Sequence, residues 1–214
     1  MKISLWMSSI VCAHVLAAAA HAQPYAYRGA YAGGAVGPST MSIQSDSLAV
    51  GGATASTLST EQKSTAFKGF GGYRFNPNFA AEGGFVYFGK FRATRTVTAP
   101  MAGTVRSDLT VLGAYVNAVG IAPITENFEL FGKLGFIVTG TVADRTSTGS
   151  VALVGDSVGA HIERNLHLGA GAELRFTPKF GMRLEYEKAF GVGDAKTIGE
   201  GDIDVVFLGL VFRF

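Results

Sequence analysis

Ten ionisable residues stand at strand-like spacings along the chain: Lys68, Arg74, Glu82, Glu129, Lys133, Glu173, Arg175, Arg183, Glu185 and Glu187. Five are basic and five acidic, and glycines and large apolar residues are interleaved with them. An unpaired charge inside a protein is very costly, so such a set is expected to neutralise itself in one interior. It can fill and specify that interior, or act as a charged constriction that selects small ions or water. Glu185 and Glu187 make a carboxylate pair suited to acid–base work, but nothing around them builds a substrate cleft. A barrel hydrolase acting on lipid would need a His beside a nucleophilic Ser on a lipid-facing wall. Here His161 and Ser157 fall in polar, loop-like sequence. His167 falls near the outer end of a strand, on the face of Glu173 and Arg175. No helix-like stretch follows the Gly pairs, so they read as wall packing and not as phosphate cradles. Catalytic residues, metal ligands and cofactors are accordingly not expected.

The elements that must carry these residues are strands. Residues 204–214 read Asp-Val-Val-Phe-Leu-Gly-Leu-Val-Phe-Arg-Phe, about half the length a spanning helix needs but right for a tilted transmembrane strand. Side chains alternate along a strand, so Val206, Leu208, Leu210, Phe212 and Phe214 share one apolar face. Val205, Phe207, Gly209, Val211 and Arg213 share the other. The same alternation predicts strands near 29–37, 65–75, 79–90, 109–121, 128–139, 166–176, 180–190 and 204–214. In these, Lys68, Phe70 and Arg74 oppose Phe67, Tyr73 and Phe75, while Glu82, Phe88 and Lys90 oppose Phe79, Phe85 and Tyr87. The facing of Asn117 stays open. Three short turns, at 76–78, 122–127 and 177–179, carry Pro with Asn or Thr. Four polar stretches, at 38–64, 92–107, 140–165 and 191–203, read as long loops. Short turns and long loops in strict alternation around eight strands are the anatomy of an outer-membrane barrel. A soluble barrel would hide its bulky apolar side chains; here charges share a face with glycine, and Phe and Leu fill the other. The expected fold is therefore all-β, an eight-stranded antiparallel transmembrane β-barrel with lipid outside.

Composition agrees. Charged residues are 16% and Gly numbers 29 of 214, against averages of about 25% charged and about 7% Gly. The net charge of +2 comes with no basic patch, so no nucleic acid is expected as a partner. Met1-Lys2, the uncharged run 3–20 and Ala20-His21-Ala22 form a secretory signal peptide, 1–22. The sole cysteine, Cys12, leaves with it, so 23–214 is read as a cysteine-free barrel domain exported to the bacterial outer membrane.

Gly71-Gly72-Tyr73-Arg74-Phe75-Asn76-Pro77, Ala122-Pro123-Ile124-Thr125, Thr177-Pro178 with Arg183-Leu184-Glu185-Tyr186, Gly193-Asp194-Ala195 before Ile198-Gly199, and the terminal Phe-Arg-Phe resemble the OmpA transmembrane-barrel family. The resemblance implies insertion by the barrel-assembly machinery, which reads a C-terminal aromatic, so Phe212 and Phe214 are the expected assembly signal. It also implies an interior salt-bridge network with Glu82, Glu173 and Arg183 at matching positions. The family's Lys on the fourth strand is replaced by an apolar residue near Ala118, with Lys133 or Arg175 expected in its stead. Large members add a peptidoglycan-binding domain, an activity not carried over to a chain that ends at the barrel. The function expected is structural and surface-exposed, with weak small-solute or ion conduction at most. An adhesin or phage- and host-binding role through the four polar stretches is the alternative, and a lipid-modifying enzyme the remoter one. Expected partners are outer-membrane lipid, the assembly machinery and an extracellular ligand at the loops.

Overall fold

The structure, a computed structural model, describes residues 28–43, 55–99, 102–149, 158–193 and 201–214. The signal segment 1–22 and Cys12 lie outside these residues. The described residues form nine strands: β1 Gly29–Ile43, β2 Ala55–Glu61, β3 Lys63–Asn76, β4 Phe79–Ala99, β5 Gly103–Pro123, β6 Phe128–Gly149, β7 Val158–Arg175, β8 Phe180–Val192 and β9 Gly201–Arg213. β2 and β3 both pair with β4, separated only by Gln62, and make a single stave. All pairings are antiparallel, and β1 pairs with both β3 and β9, so eight staves close into a ring without an edge.

The short turns share one device. In each, the first polar side chain caps the reversal by accepting amides two and three residues on, as Asx and Thr turns do. Asn76 Oδ1 takes the amides of Asn78 and Phe79 at 2.9 Å each. Thr125 Oγ1 takes those of Asn127 and Phe128, and Thr177 Oγ1 those of Lys179 and Phe180. Pro123 belongs to the end of β5, so the second turn is tighter than predicted.

Each predicted strand falls on an observed stave, with Phe176 and Phe214 one residue past the ends of β7 and β9, but the staves run further at their outer ends. Most of the stretches read as loops is strand: β4 and β5 together cover nearly all of 92–107, and β6 and β7 take up most of 140–165. Parts of 38–64 and the ends of 191–203 are strand too. The reason is a change of solvent. On β5 the inward positions continue in phase from Asn117 through Val111, Leu109 and Val105, while the outward ones change from Val116 and Leu112 to Thr110, Asp108 and Arg106. On β6 the outward change falls between Val142 and Asp144. Beyond the lipid, a strand buries its apolar face and wets its polar one, so an apolar outer stripe no longer marks it.

One predicted facing is reversed. Lys90, expected beside Glu82 and Phe88, is exposed, and Phe91 is buried in its place. A β-bulge between Tyr87 and Gly89 shifts the register with β5, and Gly89 adopts φ 108°, a conformation open to glycine.

The interior has two storeys. Towards the cell exterior, Met41, Phe88, Phe91, Leu109, Val111 and Ile203 form a dry apolar core. Beneath it lie the charges.

Candidate functional site

All ten of the predicted ionisable residues point inward and are buried: Lys68, Arg74, Glu82, Glu129, Lys133, Glu173, Arg175, Arg183, Glu185 and Glu187. Strand alternation delivers them, because each sits on the parity of its stave that faces the axis. The structure sorts them into two groups.

The larger group lies mid-barrel. Glu82 on β4 accepts from Lys133 Nζ at 2.6 Å and from Arg183 Nη1 at 2.6 Å. Two tyrosine hydroxyls, Tyr31 at 3.1 Å and Tyr115 at 3.4 Å, complete its shell. Lys133 also reaches Glu185 at 2.5 Å and Glu187 at 3.2 Å. Lys68 binds Glu185, and Glu187 at 2.9 Å. Arg183 turns its other amino group to Glu173 at 2.9 Å, and Glu173 also pairs with Arg213. Four carboxylates and four cations thus bridge β3, β4, β6, β7, β8 and β9. Charge-assisted bonds of this density are the way buried ions avoid their desolvation penalty.

Aromatic rings wall the group. The Arg183 guanidinium lies 4.8 Å from the Phe70 and Phe131 ring centres and 5.5 Å from that of Tyr31, within cation–π range. Glycines make room for these rings. A Cβ on Gly72 would stand 2.4 Å from Tyr31, and one on Gly171 would stand 2.6 Å from Phe131. A void between Tyr31, Phe131, Glu173, Arg183 and Arg213 has ≈ 10 Å³, at the threshold for a single water.

The smaller group closes the periplasmic end. Arg74 holds Glu129 in a two-pronged contact at 2.9 and 3.1 Å. Arg175 donates to the Glu126 carbonyl and stands 3.9 Å from Glu129.

These contacts separate the two residues expected in place of the fourth-strand lysine. Lys133 binds Glu82, and Arg175 belongs to the other group. Ala118 faces outward; the residue across from Glu82 on β5 is Asn117, which is buried. Asn117 and His167 Nδ1 lie 3.1 Å apart. His167 is not at the rim: β7 continues past it to Val158, and the ring is buried with Nε2 3.6 Å from Glu187. His161 is a strand residue paired with Glu163 at 2.7 Å. Ser157 lies outside the described residues. Sequence reasoning missed Arg213, Tyr31 and Tyr115 as members of the network. Arg213 could have been found, since it shares the inward parity of Val211 and Phe207. The tyrosines carry no such sign beyond their parity.

Phe212 and Phe214 stand on the outer wall, where Phe180, Phe212 and Phe214 pack ring to ring at 5.0 Å spacings.

A ring of eight staves with an apolar outer wall and a charged interior defines a transmembrane barrel of the bacterial outer membrane. The sequence profile of the OmpA-like transmembrane domain matches residues 22–214, and the chain belongs to that family. Outer membrane protein A of Escherichia fergusonii is 30% identical over 155 residues, covering 68% of this chain. That of Salmonella typhi is 32% identical over 149 residues, again covering 68% of the chain. The chain spans 39% of the length of these relatives. Among solved structures, OprG from Pseudomonas aeruginosa superposes with TM-score 0.55 at 14% identity, covering 88% of this chain and 97% of that one. Neisserial surface protein A superposes with TM-score 0.52 at 14% identity, covering 88% and 99%. At that identity the likeness is one of fold.

Proposed function

We propose that this barrel is a non-enzymatic structural protein of the outer membrane whose lumen is closed at rest and whose outward role lies in its projecting staves. The observation that carries this reading is the filled interior. An ionic layer knits six staves together below, and an apolar core of Phe88, Phe91, Leu109 and Ile203 lies above it. An ion crossing that path would have to part both. Planar-bilayer recording of the reconstituted barrel is the test. The expected record is silent, with Arg183→Ala raising conductance or lowering the unfolding midpoint by freeing Glu82 and Glu173. Discrete openings in the unaltered barrel would sink the reading.

A surface-binding role is favoured by one further feature. β4, β5 and β6 run 21, 21 and 22 residues, about twice a membrane span. Their outer parts expose Lys90, Arg106 and Asp144. If they recognise a partner, replacing 92–107 by a tight turn abolishes cell or phage binding while the barrel still folds. The aromatic stack ending in Phe214 supports its reading as the assembly signal; Phe214→Ala is expected to lower insertion by the assembly machinery.

A further inference from the structure

We propose that the periplasmic mouth of the barrel is a binding cleft for a small carboxylate carried on an apolar body. This site lies below the mid-barrel charges and shares Arg213 with them, and the surface role makes no use of it.

The cleft has ≈ 370 Å³ and is lined by Arg175, Lys179 and Arg213 together with Phe176, Pro178 and Phe214. That volume falls in the range of small-molecule sites, which pair mostly apolar walls with a few placed polar groups. Its walls are fixed by backbone bonds between separate segments. The Arg175 amide donates to the Asn127 carbonyl at 2.7 Å, and the Arg213 amide to the Lys179 carbonyl at 2.8 Å. The Thr177 side chain pins the intervening turn. A cleft held this way needs little reorganisation on binding.

The ligand's charge follows from Arg175. Its side chain is more than nine-tenths buried, yet its Nε has no hydrogen-bond partner. The nearest carboxylate, Glu129, stands 3.9 Å from Nη2 and is already held on both oxygens by Arg74. A buried donor left unmade is costly, and a carboxylate is the planar acceptor a guanidinium fork suits best. The surroundings lean the same way. The cleft's lining carries three cationic side chains, Arg175, Lys179 and Arg213, against one acidic side chain, Glu126, and of the three Arg213 is already paired with Glu173. The Phe176, Pro178 and Phe214 side supplies the apolar contact.

The test is an amide NMR titration of the exported barrel in lipid nanodiscs with phenylacetate. Saturable shifts are expected at Asn127, Thr177 and Lys179, with half-saturation at or below about 1 mM. Phenylacetamide, which has the same body without the charge, should bind at least tenfold more weakly. Arg175→Gln should weaken phenylacetate at least tenfold. Lys179→Gln, at an exposed position, should weaken it several-fold in a barrel whose fold it does not touch, and decides the matter if Arg175→Gln fails to fold. Shifts that grow linearly without saturating, equal binding of the amide, or an affinity unmoved by Lys179→Gln would overturn the proposal.

Discussion

Glu82 gathers two cations and two tyrosine hydroxyls while itself only 1% exposed. Removing a buried partner costs more than the pair is worth, because the remaining charges keep their desolvation penalty. Glu82→Ala should therefore destabilise the barrel by about 3–5 kcal/mol, read from urea unfolding in vesicles. Lys188→Ala, which removes an outer pair with Asp202, should leave the midpoint where it was. Asp108 offers a pH reading in the water-facing part of β5. Partial burial pushes its carboxyl up, but hydrogen bonds from Arg92 and Arg106 outweigh this and hold it below the ordinary carboxylate range. A depressed carboxyl contributes stability above its unfolded value and loses it as pH falls through the folded one. A carbon-detected titration of Asp108 should give a midpoint below that of an ordinary aspartate, and Arg92→Gln should move it up. The positions of the interior charges were legible because parity along a strand is strict. Their partners were not, because side chains from staves far apart in sequence, such as Lys68 and Glu185, meet only across the lumen.

Among the elements, β4 shows both what alternation tells and where it stops. From Phe79 to Phe88 its parity is as the sequence implies; at Gly89 the bulge resets it, and nothing in the pattern announces the extra residue except the glycine itself. The position is testable. A Cβ at Gly89 would meet the Ser64 hydroxyl at 2.1 Å, on a backbone at φ +108°. Gly89→Val should cost about 1–3 kcal/mol through backbone strain alone, measured by the same unfolding assay. Gly120→Ala, where a Cβ meets nothing within 4 Å, should be tolerated. The outer halves of β4 to β7 were hidden for a different reason. Their Thr and Ser suit a strand in water as well as they suit a loop, and only the pairing of one stave with the next decides between them. Arg92, bridged to Glu61 on β2 and Asp108 on β5, is the visible trace of that pairing.

For the whole molecule, the level at which the outer wall changes from apolar to polar marks where lipid ends. Val116, 62% exposed, lies below that level and Thr110 above it. Val116→Arg should cost about 2–4 kcal/mol, the penalty of a cation facing hydrocarbon. Thr110→Arg should cost next to nothing, and the contrast between the two, measured in one bilayer, fixes the waterline on β5. That waterline is not met by equal lengths of wall. Above it β5 still has residues 103–110, whereas β9 has only 201–204. Among the described residues the barrel therefore stands as a parapet on the β4–β6 side and a low sill on the β8–β9 side. On the β4–β6 side the surface that the described residues turn to the medium is thus hydrogen-bonded sheet, as rigid in water as it is in lipid.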